Sequence, residues 1–372
     1  MSSKGMDMVL CFECSVDLKR TIDRLLGSGK YSDLSELIAV AVSNQVLLQD
    51  HAAQDGTVVF GAAPKPAPQP APEPLAPTEL AEQPLELSKR RVNGISMLFT
   101  HRPTEPSGPV AELPADPSAD PTGAMRPSLW IFGQYNRLLP AKASCRALAN
   151  LLQEGRGIEG TGAARKIAAE ATELGNHLRI LDRRHGHGRD EMFCIAFPGD
   201  VDPDKGRLRY ANQFVVSVDR NGQLSGLLVD LKLINQVSAR EPRISLTDAG
   251  WRFAMLPNPL LDAINDDHVR DRFTAEERNS LLDHIATSVP RERHAYLTIL
   301  AAIAAGHDTP DAISAVMKEL EQAPQESDSL LATQRSGAIS RMSDLALLSR
   351  DREGIRVRYR ISPDGDRFLK SH

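Results

Sequence analysis

The chain has 372 residues, 41% hydrophobic and 25% charged, with a formal net charge of -5; this length can bury sizeable cores and predicts two or three domains. The negative balance excludes a molecule that is polycationic all over, so contact with a polyanion must come from local patches. Four irregularly spaced cysteines (Cys11, Cys14, Cys145, Cys194), no signal-peptide pattern and no apolar run of membrane-spanning length fit a soluble cytoplasmic protein without a membrane partner.

The first predicted elements lie in a short N-terminal unit. Met8 to Cys14 alternate as a strand, and Ser15 is placed to cap a helix carrying Leu18, Ile22 and Leu25 that Gly27 and Gly29 end. Ser32 or Asp33 then starts a second helix with Leu37, Ile38, Ala41, Val42 and Val46 on one face. A unit of about 45 residues makes too small a core alone and is expected to dimerise. Ser28, Gly29, Tyr31, Ser32, Ser35, Glu36, Leu37 and Ile38 spell a turn similar to that of the ribbon-helix-helix family. The resemblance implies paired strands from two subunits entering the major groove of DNA. Leu10, Phe12, Leu18, Ile22, Leu25, Leu37, Ile38 and Val42 would form the homodimer core of residues 1–52. The outward strand positions are Val9, Cys11 and Glu13, and residues 1–50 carry five basic and seven acidic side chains, which favours dimerisation over base reading.

Residues 53–127 read as a disordered linker, because fifteen of the 25 prolines fall between Gly61 and Pro127 and proline this dense removes amide donors and opposes helix. Within it "LSKRRVNGISMLF", residues 87–99, places three basic residues before an apolar cluster. Two readings remain open for it: a peptide that docks a protein partner, or a sticky segment or strand lying on a neighbouring domain.

Residues 128–262 turn helical. Arg165, Lys166, Arg179, Arg183, Arg184 and Arg189 gather in one helix-rich stretch, and "EPRISLTDAGWRFAML" closes the region as a strand with Ile244 and Leu246 alternating before a helix capped by Thr247.

Residues 263–372 repeat this phrase as "RYRISPDGDRFLKS". Before it come an apolar helix ended by Gly306, a helix opening at Thr309-Pro310, and a third with Ile339, Met342, Leu345 and Leu348 on one face. Ile355, Val357, Tyr359 and Ile361 alternate with Arg356, Arg358 and Arg360, so one strand face is apolar and the other cationic. "LALLSR" supplies its partner strand, "DREG" the reversal, and Ser362-Pro363 the next helix start.

Three helices, an arginine-lined hairpin and a short helix resemble the winged-helix variant of helix-turn-helix across residues 291–370. In that family the third helix enters the major groove and the hairpin touches an adjacent groove or backbone. The resemblance implies Thr333, Gln334, Arg335, Ser336, Ser340 and Arg341 as groove or phosphate positions and Arg350, Arg352, Arg356 and Arg358 as hairpin contacts. It also implies one or two further winged-helix-like units within residues 128–262.

Other signals fail their context. Cys11 and Cys14 point to opposite faces of a strand; His185 and His187 sit in a glycine-rich turn. "GRGIEG" does not follow a strand, and Thr161 is the better helix cap there. "DVDPDKG" lacks the glycine and glutamate positions of a calcium loop. The expected fold class is α+β, mainly helical: a ribbon-helix-helix dimerisation module, a linker and tandem winged helices. The expected function is a dimeric protein that binds double-stranded DNA, regulating transcription or organising a locus, with no catalytic, cofactor or metal residues. The alternative is a non-enzymatic assembly subunit whose winged helices bind a protein.

Overall fold

The computed structural model describes residues 87, 89–106, 110, 126–152, 157–199, 202–238, 242–264, 266, 268–320, 327–354 and 356–371. The ribbon-helix-helix expectation, residues 1–52 with its dimer core, lies outside them. The described chain belongs to the unit Pro72–His372; it is mainly helical with small antiparallel sheets, the coarse α+β class expected. None of its described helices is long and apolar enough to cross a membrane.

Within the expected linker, residues 89–106 form ordered local structure. β1 (Arg91–Val92) and β2 (Ile95–Ser96) form a hairpin that reverses through Asn93 and Gly94, at φ 52° and 80°, the left-handed pair that a two-residue turn requires. α1 (Met97–Thr100) follows, capped by Ser96. Ile95, Leu98 and Phe99 are buried in the core, so the apolar half of the candidate partner peptide is already occupied within the chain and is not offered to another protein. Burying three large side chains contributes roughly 1.5–3 kcal/mol each, enough to fold a strap out of a proline-rich stretch.

The strap is held by α2 (Leu139–Leu152), every residue of which is buried. Lys142, Arg146 and Asn150 stand one turn apart on one face. Asn150 Nδ2 donates to Leu98 O at 3.0 Å and His101 O at 2.9 Å, closing the end of α1. Arg146 pairs with Asp262 and donates to Leu256 O at 2.9 Å. Lys142 Nζ pairs with Glu277 at 2.9 Å and donates to Leu256 O at 2.8 Å. Burial lowers Lys142 to about 8 against the pull of Glu277. A buried cation persists only with such partners.

β3 (Ile158–Glu159) leads into α3 (Gly160–His185), whose buried stripe includes Ala163, Ile167, Ala171, Leu174, Leu178 and Leu181. Its cap is Glu159, which accepts from Thr161 N at 2.8 Å and Gly162 N at 2.5 Å, and not Thr161 as the sequence led us to expect. α4 (Pro203–Tyr210) runs into a π turn, then come the short β4 (Ser217–Val218) and β5 (Leu224–Ser225), α5 (Leu227–Asp230), β6 (Ile234–Gln236), β7 (Arg243–Leu246) and α6 (Asp248–Met255). β7 lies between β3 and β6, antiparallel to both. α7 (Pro259–Asp262), α8 (Ala275–Ser288), α9 (Pro290–Ala304), α10 (Pro310–Glu319) and α11 (Asp328–Asp344) precede β8 (Leu348–Glu353), β9 (Arg356–Ile361) and α12 (Pro363–Ser371).

The repeated phrase is a repeated piece of structure. α5 ends on left-handed Lys232 and α11 is followed by left-handed Ala346, at φ 54° and 58°, and the next amides bond back five residues, Leu233 N to Leu228 O at 2.8 Å and Leu347 N to Met342 O at 2.9 Å. After each hairpin a hydroxyl caps the next helix: Thr247 Oγ1 accepts from Gly250 N at 3.2 Å and Ser362 Oγ from Gly365 N at 3.0 Å. The same hydroxyls donate to Lys232 O at 2.9 Å and Ala346 O at 2.5 Å. Any Cβ at Gly250 would strike Leu233 O, and at Gly365 Leu347 O. Thr247, Gly250 and Phe253 therefore correspond to Ser362, Gly365 and Phe368. The matching letters Arg-Ile-Ser are out of register: Ser245 is a strand residue, and Thr247 is the counterpart of Ser362.

Each repeat also secures its last strand to a segment between two of its helices, α2 and α3 in the first and α9 and α10 in the second. Ile158 of β3 pairs with Ile244, and Asp308 O accepts from Tyr359 N at 2.8 Å. The expected boundary between residues 128–262 and 263–372 does not separate two cores. Arg137 and Arg272 reach Asp344 at 3.4 and 3.2 Å, and one apolar cluster runs through both repeats.

Candidate nucleic-acid interface

The helix expected to enter the groove, α11, is covered by the chain's own residues 127–135. Gln334, 2% exposed, donates to Pro127 O at 3.0 Å and Trp130 O at 3.4 Å. Arg341, 0% exposed, holds Glu292 with bonds of 2.6 and 2.9 Å and donates to Tyr135 O at 2.7 Å. Gly133 and Gly337 meet so closely that a Cβ on either would collide with backbone. Thr333 is half-buried at the same contact, its carbonyl against Gly133. Arg335 bonds Pro310 O at 2.7 Å and the Ser314 hydroxyl, and burial lowers its pKa. Ser340 is half-buried and Ser336 exposed. Gln334 and Arg341 are thus core residues, and the reading of α11 as a recognition helix is corrected. An arginine at helical spacing looks the same in sequence whether it meets phosphate or a buried glutamate.

The hairpin keeps the expected alternation: Val357 is half-buried and Tyr359 buried, whereas Arg356, Arg358 and Arg360 are exposed. It is longer than expected, with β8 running through "DREG" as far as Glu353 and reversing at Gly354. Lengthening brings carboxylates into register with the arginines. Asp351 stands opposite Arg358 and pairs with Arg360 at 2.5 Å, while Arg358 reaches Asp308 at 3.1 Å. Such exposed pairs contribute about 0–1 kcal/mol and are screened by salt, so they compete only weakly with a polyanion.

Arg350 and Arg352 turn the other way, toward the loop after α3. Asp190 of that loop gathers four guanidinium groups. Its carboxylate pairs with Arg350 at 2.5 Å and Arg352 at 3.0 Å; its carbonyl accepts from Arg272 at 2.9 Å and Arg137 at 3.3 Å. Burial raises the Asp190 carboxyl, but the bond to Arg350 and the charges of Arg350, Arg352 and Arg137 outweigh it and leave the pKa lowered. Burial also lowers Arg137, and the like charges of Arg272 and Arg350 add to this against the pull of Asp344 and Asp190. Arg137 is buried and Arg272 half-buried against Asp344, so the hairpin's exposed cation at this edge is Arg352, with Arg350 half-buried.

The loop that carries Asp190 is fixed by buried Asp182, which accepts from Phe193 N at 2.8 Å and Cys194 N at 2.9 Å and meets His187 Nδ1 at 2.9 Å. His185 and His187 are therefore half-buried parts of a cluster with Phe193, and not a solvated turn. Around this edge Arg183, Arg184, Arg189 and Arg270 are exposed. Arg179 bonds Asn176 at 2.6 Å and covers Gly199, which leaves it half-buried. Arg165 and Lys166 stand apart, near the other end of α3. The expected basic set is split: the hairpin and the end of α3 come together, whereas Arg165 and Lys166 do not join them. Asp182, Asp190, Arg137, Arg270 and Arg272 are the site residues that sequence reasoning missed; only the basic run before Asp190 hinted at a charged corner.

A cavity of about 950 Å³ lies between α6 and α8, where Asp248, Glu276 and Asp283 outnumber Arg252. Its acidic lining sets it apart from a polyanion surface. Comparison with known families, characterised proteins and solved structures finds no match to this chain.

Proposed function

We propose that this chain is a dimeric, non-enzymatic, cytoplasmic protein that binds double-stranded DNA by gripping phosphates at the arginine edge. Exposed Arg352 of the hairpin, beside Arg183, Arg184, Arg189 and Arg270 at the edge around Asp190, is the observation that carries this reading. The winged-helix resemblance of residues 291–370 and the ribbon-helix-helix resemblance of residues 1–52, both read from the sequence pattern, are consistent with this proposal. With α11 covered, the remaining contacts are of the phosphate type, which position a protein on DNA but carry no base identity. The role that fits is occupying or organising a stretch of DNA with weak sequence preference.

Fluorescence anisotropy of a labelled duplex across a salt series tests this. Each phosphate contact adds about 0.9 to the log–log salt slope, so replacing Arg189 and Arg352 with alanine is expected to reduce the slope by roughly 2 and to weaken unrelated sequences equally. Affinity indifferent to salt, or an unchanged variant, would overturn the reading. Asp190, Asp308 and Asp351 favour a second one, a mixed-charge face for a protein partner; a stable partner retained without any DNA affinity would select it.

A further inference from the structure

The lysine-arginine run of the strap and the basic pair on α3 are 75 positions apart at Arg90 and Arg165, and the sequence gives no reason to join them. The fold does. β2 packs on α3, and Arg91 Nη2 grips Glu170 at 2.8 Å. Lys166 lies one helical turn before Glu170, and Arg165 precedes it on the adjoining side of the exposed helix face. Lys89, Arg90, Arg91 and Arg165 are exposed and Lys166 half-exposed. Five cations thus lie at this end of the molecule with Glu170 and exposed Glu173, while Glu159 is engaged at its helix cap.

Arg165 and Arg183 are eighteen residues apart along α3, which is five turns of 3.6 residues: they leave the helix in the same direction, about 27 Å apart. From this juxtaposition we infer a second phosphate-binding patch, made of Lys89, Arg90, Arg91, Arg165 and Lys166, that engages the same DNA duplex as the arginine edge at the other end of α3. This rests on the DNA-binding reading and extends it. A strand of B-DNA carries a phosphate about every 3.4 Å, so the spacing corresponds to roughly eight phosphates. A duplex fits because it is a rigid polyanion that presents charge at both places at once.

The experiment pairs two variants of exposed residues, Lys89→Ala with Arg165→Ala and Arg183→Ala with Arg189→Ala, on duplexes of 6 and 24 base pairs, with melting curves as the folding control. On the long duplex each variant is expected to lower the salt slope by roughly 2 and to weaken binding about tenfold. On the short duplex, which cannot span the patches, the wild-type advantage of having both is lost, and each variant costs less than about threefold. If Arg183→Ala/Arg189→Ala weakens the long duplex and Lys89→Ala/Arg165→Ala does not, this inference fails and the arginine edge stands. If the wild type binds neither duplex, the DNA-binding reading itself fails. Selective loss of binding to phosphatidylserine vesicles by Lys89→Ala/Arg165→Ala, with the long duplex unaffected, would make the patch a lipid-facing surface and overturn the inference.

Discussion

Hairpins β6–β7 and β8–β9 follow the same left-handed residue and enter the next helix through the same hydroxyl cap, yet they present different surfaces. β6–β7 is short and flanked by β3, and its Arg243 bonds the carbonyl of Gly157. β8–β9 has six residues in each strand, and on its outer side Tyr359 N donates to Asp308 O at 2.8 Å. The added length carries Arg352, Arg356 and Arg358 away from the core and out to solvent. The shared caps set how a hairpin is attached to the body; length and neighbours set what it can touch.

The largest expected effect separates the helix before the second hairpin from the hairpin itself. Arg341→Ala strands Glu292 in the core and is expected to cost about 3–5 kcal/mol, whereas Arg358→Ala should change stability by less than about 0.5 kcal/mol. Urea denaturation of the two variants checks this, and equal losses would mean that α11 is not welded to the core as described. Next, Gly250→Ala and Gly365→Ala should each cost about 3 kcal/mol, since in both the new methyl meets a carbonyl that cannot move without its strand. Losses differing by more than about 1 kcal/mol would break the equivalence of the two repeats.

Removing the hydroxyls is a gentler test of the same equivalence. Thr247→Ala and Ser362→Ala should each lower stability by about 1–2 kcal/mol, the range of a lost helix cap. The smallest effect belongs to the second hairpin alone and depends on pH. Because the folded-state pKa of Asp190 lies below its ordinary value of 3.8, its contact with Arg350 and Arg352 contributes above that value and is lost as pH falls through the lowered one. Amide exchange at β8 should rise in that acid range with no matching change at β6; a release beginning above pH 4 would contradict the assignment.

Much of the local structure was legible beforehand. The period of two in Arg356–Ile361 placed the arginines outward, and Thr247, Thr309 and Ser362 were recognisable helix caps because a short hydroxyl before an apolar period satisfies an otherwise open amide. The site was less legible. Arg335 and Arg341 are expected from the sequence as groove or phosphate positions, and each is bound to oxygen atoms contributed from other elements. The strap at residues 89–106 looked like tether because prolines surround it, and the buried Ile95, Leu98 and Phe99 could not announce which surface they would meet.

Sequence by itself determined the later helices of this protein, the caps at Thr247, Thr309 and Ser362 and the side of the last strand that carries charge, since these depend on residues within a turn or a pleat of one another. Tertiary structure alone decided which cations remain available. Asp190 meets Arg350, and Glu292 meets Arg341, across distances in the chain that no periodicity spans, and the energy of a charge depends on its nearest counter-charge and its exposure to water.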